Sequence, residues 1–134
     1  MSLTFEDKIK LLTNGENSRF VSKGLKGLEK ESLRITQSGS ISKLPHPNKW
    51  GSALTNPHIT TDYSEALPEF ITPAFEDTYK TLNFLKDIHT FALNTIPQDE
   101  ILWNNSMPCR INDDKDIPIA KYGKSNAGRM RHIY

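Results

Sequence analysis

The chain has 134 residues, 36% of them hydrophobic and 25% charged, with a formal net charge of +1. That length suits one domain with a modest core, and the mixture excludes both a disordered tail and a membrane-spanning chain. Near-neutrality gives no long-range pull toward nucleic acid or a lipid surface.

The start, MSLTFEDKIKLL, lacks the basic and long apolar regions of a secretory leader, so a cytoplasmic location is expected. Thr4 to Asn14 is predicted as a helix. Thr4 and Asp7 fit a capping box with aspartate in place of glutamate, Phe5, Ile9 and Leu12 form one face, and Asn14–Gly15 offers a left-handed stop. From Leu25 to Ile35 the apolar period switches to two, which predicts one strand. A turn at Gln37-Ser38-Gly39-Ser40 and a return near Ile41 follow. Pro45 to Gly51 reads as loop. His58 to Tyr63 is rich in strand formers, and Glu69 to Thr72 is a second strand segment, because Pro68 argues against a helix running through it. Phe75 to Ile96 is the clearest helix. Its expected apolar stripe is Tyr79, Leu82, Leu85, Ile88, Ala92 and Ile96, and Pro97 stops it. The remainder reads as loop with short strands and ends on Arg131-His132-Ile133-Tyr134 without a stop signal, as a cut chain would. Few helices, several strands and no regular βαβ alternation predict an α+β fold.

The stretch Gly27 to Arg34, GLEKESLR, places two carboxylates two residues apart. On a strand such residues share a face, with α-carbons roughly 6.5–7 Å apart. Glu29 and Glu31 then lie with Leu25, Leu33 and Ile35, while Lys26, Lys30 and Arg34 take the opposite face. Two like charges without a partner on their own strand are costly unless cations or donors compensate, and a hard divalent cation such as Mg²⁺ is one solution. The competing reading is a half-exposed strand whose glutamates pair with lysines across the sheet.

Asp62 in ITTD and Glu69 in LPEFIT add two more acids in apolar, strand-like settings. Their alternatives are a turn cap at Asp62, with Glu65 completing the box, and a strand-edge acid at Glu69. The histidines His46, His58, His89 and His132 show no metal-ligand spacing. His89 is expected on the polar face or boundary of the long helix, and His46 carries no assignment. The single cysteine, Cys109, excludes an internal disulfide and a multi-cysteine zinc site, and reads as a small buried side chain. Gly123-Lys124-Ser125 is not a phosphate loop, because Pro118 stands where that motif needs glycine. Lys121, Lys124, Arg129 and Arg131 read as a solvated basic loop, with contact to an anionic ligand as the alternative; no nucleic-acid module is present.

GLEKESLR, HP, GSALTNPHITTDYSEALPEFITP, LWNNSMPC, DIPIAKYG and SNAGRM follow one another from about Gly24 to Tyr134. In that order they resemble the bacterial glutamate–cysteine ligases (γ-glutamylcysteine synthetases) of proteobacterial type. The resemblance implies the first step of glutathione biosynthesis. ATP phosphorylates the side-chain carboxylate of L-glutamate, and the amine of L-cysteine attacks the acyl phosphate. Mg²⁺, with Mn²⁺ as an alternative, bridges the nucleotide phosphates. It also implies a glutamine-synthetase-like fold, a curved and largely antiparallel sheet with flanking helices, incomplete here. Residues 1–134 would be the N-terminal portion of a single catalytic domain.

Carried over by motif, Glu29 and Glu31 match the two acids of the family's first active-site strand. Asp62 matches the aspartate of its ITTD run, and Glu69 the second glutamate of EALxEF. All four are expected as metal ligands. Tyr63 and Tyr134 correspond to aromatic positions near the cysteine pocket, and no catalytic side chain is assigned. The expected partners are glutamate, cysteine and ATP, without nucleic acid or membrane. Pro68 stands where leucine is commoner. Lys30 stands where arginine is more frequent, and lysine cannot make arginine's forked contact. Family members are considerably longer, and further metal and nucleotide ligands lie in the additional length, so the isolated chain is expected to be inactive. Two rival readings remain: a related carboxylate–amine ligase with another amine substrate, and a non-catalytic truncated product that binds metal or a partner.

Overall fold

The computed structural model describes residues 2–122. Helix α1 (Phe5–Thr13) opens on the expected capping box. The Thr4 hydroxyl accepts the Asp7 N–H at 3.2 Å, and the Asp7 carboxylate accepts the Thr4 N–H at 3.2 Å. These bonds hold the Asp7 carboxyl below its ordinary range. The stop expected at Asn14–Gly15 is a hinge instead: Gly15 takes φ +49° and a second helix, α2 (Gly15–Lys23), begins there. Asn17 Nδ2 donates to the Leu11 carbonyl at 2.9 Å and ties the two helices together. Phe5, Ile9 and Leu12 are exposed, so the face predicted for α1 is not buried among the described residues.

The single strand expected from Leu25 to Ile35 is two strands in two sheets. Strand β1 (Glu29–Glu31) joins β3 (Ile59–Thr61) and β4 (Pro68–Ile71) in an antiparallel sheet of order β1-β4-β3. Strand β2 (Arg34–Thr36) pairs antiparallel with β5 (Glu100–Leu102). Between β1 and β2, Ser32 and Arg34 donate their N–H groups to the carbonyls of Pro68 and Ala66 at 3.2 and 2.7 Å. The chain therefore runs on beside β4 while changing sheet. Successive residues of a strand point to opposite sides, yet Arg34 and Ile35 are both buried. The inside–outside alternation behind the one-strand reading stops there.

Ile41 does return against Ile35, across a turn in which Gly39 takes φ +83°. Pro68 occupies the first position of β4. Its missing N–H is tolerated there, and its carbonyl still receives Ser32.

Helix α3 (Thr78–Thr95) starts three residues later than expected. Asp77 caps it by accepting the Tyr79 N–H at 2.8 Å, and Phe75 instead forms a bridge with Lys26. Its inward stripe also differs. Thr81 and Ala92 are buried and Leu85, Ile88 and Ile96 are half-buried, whereas Tyr79 and Leu82 face solvent. The helix lies over one face of the three-stranded sheet and closes a core of Trp50, Ile59, Phe70, Ala92 and Leu102. Complete burial of a side chain the size of Phe70 contributes about 2–3 kcal/mol. Trp50 comes from a 3₁₀ turn (Asn48–Trp50) inside the stretch expected as loop, and its indole N–H donates to Thr95 Oγ1 at 2.9 Å. A second core joins Ile35, Ile41, Ala66 and Cys109, so the cysteine is buried as expected. Among the described residues the paired strands β1–β4, β3–β4 and β2–β5 are all antiparallel and α3 packs on a sheet face, in keeping with the expected α+β class.

Candidate metal-binding face

Register brings the acids together. Thr72 N–H donates to the Leu28 carbonyl at 2.9 Å and Ser32 N–H to that of Pro68 at 3.2 Å, which marks 28/72 and 32/68 as hydrogen-bonded pairs. Glu31 and Glu69 lie directly opposite each other between them, so theirs is the non-hydrogen-bonded kind. In such pairs facing β-carbons come closest, about 4.5–5.5 Å. Glu29 sits on the same face two residues along β1. On the far side of β4, Thr60 stands opposite Glu69. Asp62, two residues past Thr60, donates its N–H to the Leu67 carbonyl at 3.0 Å. Asp62 therefore prolongs the same face beyond the end of β3.

The alternate residues Ile59, Thr61, Pro68 and Phe70 point the other way and are buried. The four acids thus occupy the sheet face turned away from α3. Lys30 lies on the helix side, as the period-two reading expects, with its ammonium on the Ser32 hydroxyl and its pKa pushed down by burial.

The carboxylates of Glu29, Glu31 and Asp62 are exposed, and none has a hydrogen-bond or ion-pair partner among the described residues; Glu69 is half-buried. Cross-sheet pairing with lysine, the competing reading for Glu29 and Glu31, is therefore not found there. Among the described residues no three of His, Cys, Asp and Glu form a group that holds a metal ion by itself. Mg²⁺ does not require one: it keeps several waters and is held through one or two carboxylates together with substrate phosphates. A facing carboxylate pair flanked by two more hard oxygen donors fits that mode.

Tyr63 is 66% exposed, next to Asp62, and its carbonyl accepts the Ala120 N–H at 3.1 Å. Tyr134, together with Lys124, Arg129, Arg131 and His132, lies outside the described residues. Glu65 completes no capping box. It is buried, and its carboxylate accepts the N–H groups of His46 at 3.2 Å and Lys121 at 2.8 Å. A cleft of about 260 Å³ lies beside it, bounded by His46, Asn48, Ser52, Lys121 and Tyr122.

Below this face is a polar centre that the sequence reading passed over. Arg34 is fully buried. Its Nη1 donates to Glu100 Oε2 at 2.8 Å, and its Nη2 to the carbonyls of Leu44 at 2.5 Å and Glu65 at 3.1 Å. The Ser42 hydroxyl donates to the other Glu100 oxygen. Burial pulls the Arg34 guanidinium down from its usual pKa while Glu100 opposes the shift. The only local signal was an arginine between Leu33 and Ile35.

His46 stands edge-on to Trp50 at 5.6 Å, with Nδ1 2.8 Å from Thr61 Oγ1. Burial and the nearby Arg34 charge hold its imidazole below the ordinary range, against Glu65. His89, expected at the polar side or boundary of α3, is half-buried with its ring 4.6 Å from Phe70. Burial and Lys30 push its pKa down as well.

A family model described as glutamate–cysteine ligase matches residues 9–134. The glutamate–cysteine ligase of Alcanivorax borkumensis is 50% identical over 129 residues, 96% of this chain and 24% of the relative. That of Pseudomonas putida is 47% identical over 134 residues, all of this chain and 25% of the relative. Among solved structures, a glutamate–cysteine ligase from Francisella tularensis in complex with AMP matches with TM-score 0.78 and 42% identity, over 82% of this chain and 22% of that one. A bifunctional glutathione synthetase from Pasteurella multocida matches with TM-score 0.72 and 34% identity, over 79% and 15%. The chain spans about a quarter of the length of the curated relatives it matches.

Proposed function

Because this chain belongs to the glutamate–cysteine ligase family, we propose that it carries the cation-binding face of an ATP-dependent enzyme that joins glutamate to cysteine. The observation that carries the reading is the facing pair Glu31 and Glu69, flanked by Glu29 and Asp62 on the sheet face away from the helix. The γ-phosphoryl group of ATP passes to the glutamate side-chain carboxylate, leaving ADP. The cysteine amine then displaces phosphate, loses a proton and forms the amide. A Mg²⁺ ion bound here supplies charge neutralisation at the phosphate oxygens.

The four carboxylates hold and orient that ion, and Tyr63 and Tyr134 contribute to binding the amine substrate. Residues 1–134 act as the N-terminal portion of one catalytic domain. The 134-residue chain alone does not turn over, because the rest of the cation and nucleotide site lies in the additional length of the family. No helix among the described residues is long and apolar enough to cross a membrane, and a cytoplasmic setting suits a reaction that consumes ATP.

In the full polypeptide, Glu31→Gln should lower cysteine-dependent ADP release by about a hundredfold or more, since metal stabilisation of transferring charge is worth several kcal/mol. Circular dichroism should show an unchanged fold. Normal turnover in a folded Glu31→Gln enzyme removes this face from the reaction.

A further inference from the structure

The acid face is only as well placed as the turn that carries Asp62, and β3 ends one residue before it. From Asp62 to Leu67 the chain makes a tight excursion, closed by Asp62 N–H to the Leu67 carbonyl at 3.0 Å and Leu67 N–H to that of Ser64 at 2.8 Å. Residues 118–122 lie along this excursion like a strap. The Glu65 N–H and the Ser64 hydroxyl both donate to the Pro118 carbonyl at 2.8 Å. Ala120 N–H reaches the Tyr63 carbonyl at 3.1 Å. The Tyr122 hydroxyl is 2.9 and 2.7 Å from the carbonyls of Thr61 and Asp62.

Glu65 supplies the carboxylate of this arrangement, and it is 6% exposed. One oxygen receives Lys121 N–H from the strap, the other receives His46 N–H, and its carbonyl receives Arg34 Nη2.

We propose that Glu65 is a positioning residue for the acid face: its buried carboxylate clamps residues 118–122 against the turn from Asp62 to Leu67, and so fixes Asp62 and Tyr63 beside Glu69. The inference rests on the cation-binding reading of that face. The chemistry of the clamp is specific. A carboxylate accepts at both oxygens, and two backbone N–H groups converge on it from opposite sides. An amide of the same shape accepts at one end only and turns a donor toward the other N–H. That N–H is then left unsatisfied away from water.

The test compares Glu65→Gln with the natural residue in the full polypeptide by amide hydrogen exchange. The amides of Lys121 and Asp62 should exchange about tenfold faster or more, as expected for losing a hydrogen bond to a charged acceptor. Those of Phe70 and Ile71 should keep their rates. Mn²⁺ affinity, read by electron paramagnetic resonance, should fall by about tenfold, the range in which groups behind metal ligands act. An unchanged Asp62 amide overturns the proposal, as does an unchanged Lys121 amide.

If Glu65→Gln loosens the whole sheet, Tyr122→Phe gives a second reading. It leaves the carboxylate in place and removes the hydroxyl at the far end of the strap, so Asp62 should exchange faster and Phe70 should not. No response at Asp62 in that variant overturns the proposal. A natural protein that binds no Mn²⁺ defeats the metal reading of the face, while the clamp still stands or falls on the exchange rates.

Discussion

Within the eight residues from Gly27 to Arg34, charge is used in two opposite ways. Glu29 and Glu31 sit on an open face, exposed and without a protein partner among the described residues. Arg34, three residues further on, is wholly buried and held by Glu100 and two carbonyls. The exposed acids add nothing to stability, and like charges facing each other across a sheet weaken it. The buried pair is obligatory once made, because removing either partner strands a charge away from water. A charge without a protein partner at the surface is available to a ligand; a charge paired in the interior is architecture. Sequence spacing alone does not tell the two apart.

The largest test of this contrast is Arg34→Met, which leaves Glu100 buried without its partner. It should cost about 3–5 kcal/mol in urea denaturation. The double variant Arg34→Met with Glu100→Leu should recover most of that loss, because a well-packed apolar pair avoids the stranded charge. A double variant as unstable as the single one breaks the distinction.

Next in size is Glu31→Gln. Its unfolding free energy should stay within about 0.5 kcal/mol of the natural protein. Mn²⁺ affinity should still drop about tenfold or more, measured by calorimetry. Unchanged affinity returns Glu31 to the status of an ordinary surface acid.

The smallest effect sharpens the buried side. His46 and His89 are held below the ordinary imidazole range by burial, so as pH falls the unfolded chain takes up those protons first. The unfolded state then binds more protons, and stability declines as pH drops below about 6.5 toward the lower folded-state values. The urea midpoint should fall between neutral pH and pH of about 5, and His89→Gln should flatten that fall. An identical slope in His89→Gln assigns the pH dependence to other groups.

The legible parts of the molecule were those decided by near neighbours in sequence. The box at Thr4 and Asp7, the long helix and the sharing of one face by Glu29 and Glu31 all follow from spacings of two to four residues. Helix α2 escaped because GENSRFVSK has only two apolar residues, adjacent to each other, so no helical stripe exists to be counted. The break after β1 escaped for a different reason. Just past it Arg34 is buried against Glu100, 66 positions away, and no local pattern announces that partner. Glu65 looked like half of a cap because it lies three residues after Asp62; its true partners, the N–H groups of His46 and Lys121, come from distant segments. The four acids were visible as residues. Their meeting across β1 and β4 depended on the pairing of strands whose facing members are residues 31 and 69.

That pairing has a consequence for alignment during folding. Strand β1 has three residues, too few for its rungs alone to distinguish one offset from the next. A slip of one position would turn Glu29 and Glu31 under the helix, against the layer of Trp50 and Phe70, and swing Lys30 outward. Burying even one ionised carboxylate without a partner costs several kcal/mol, more than a misplaced rung returns. Glu31, which weakens the native pairing by facing Glu69, therefore joins Glu29 in excluding its nearest competitor, and the two serve as the key that sets the strand in place.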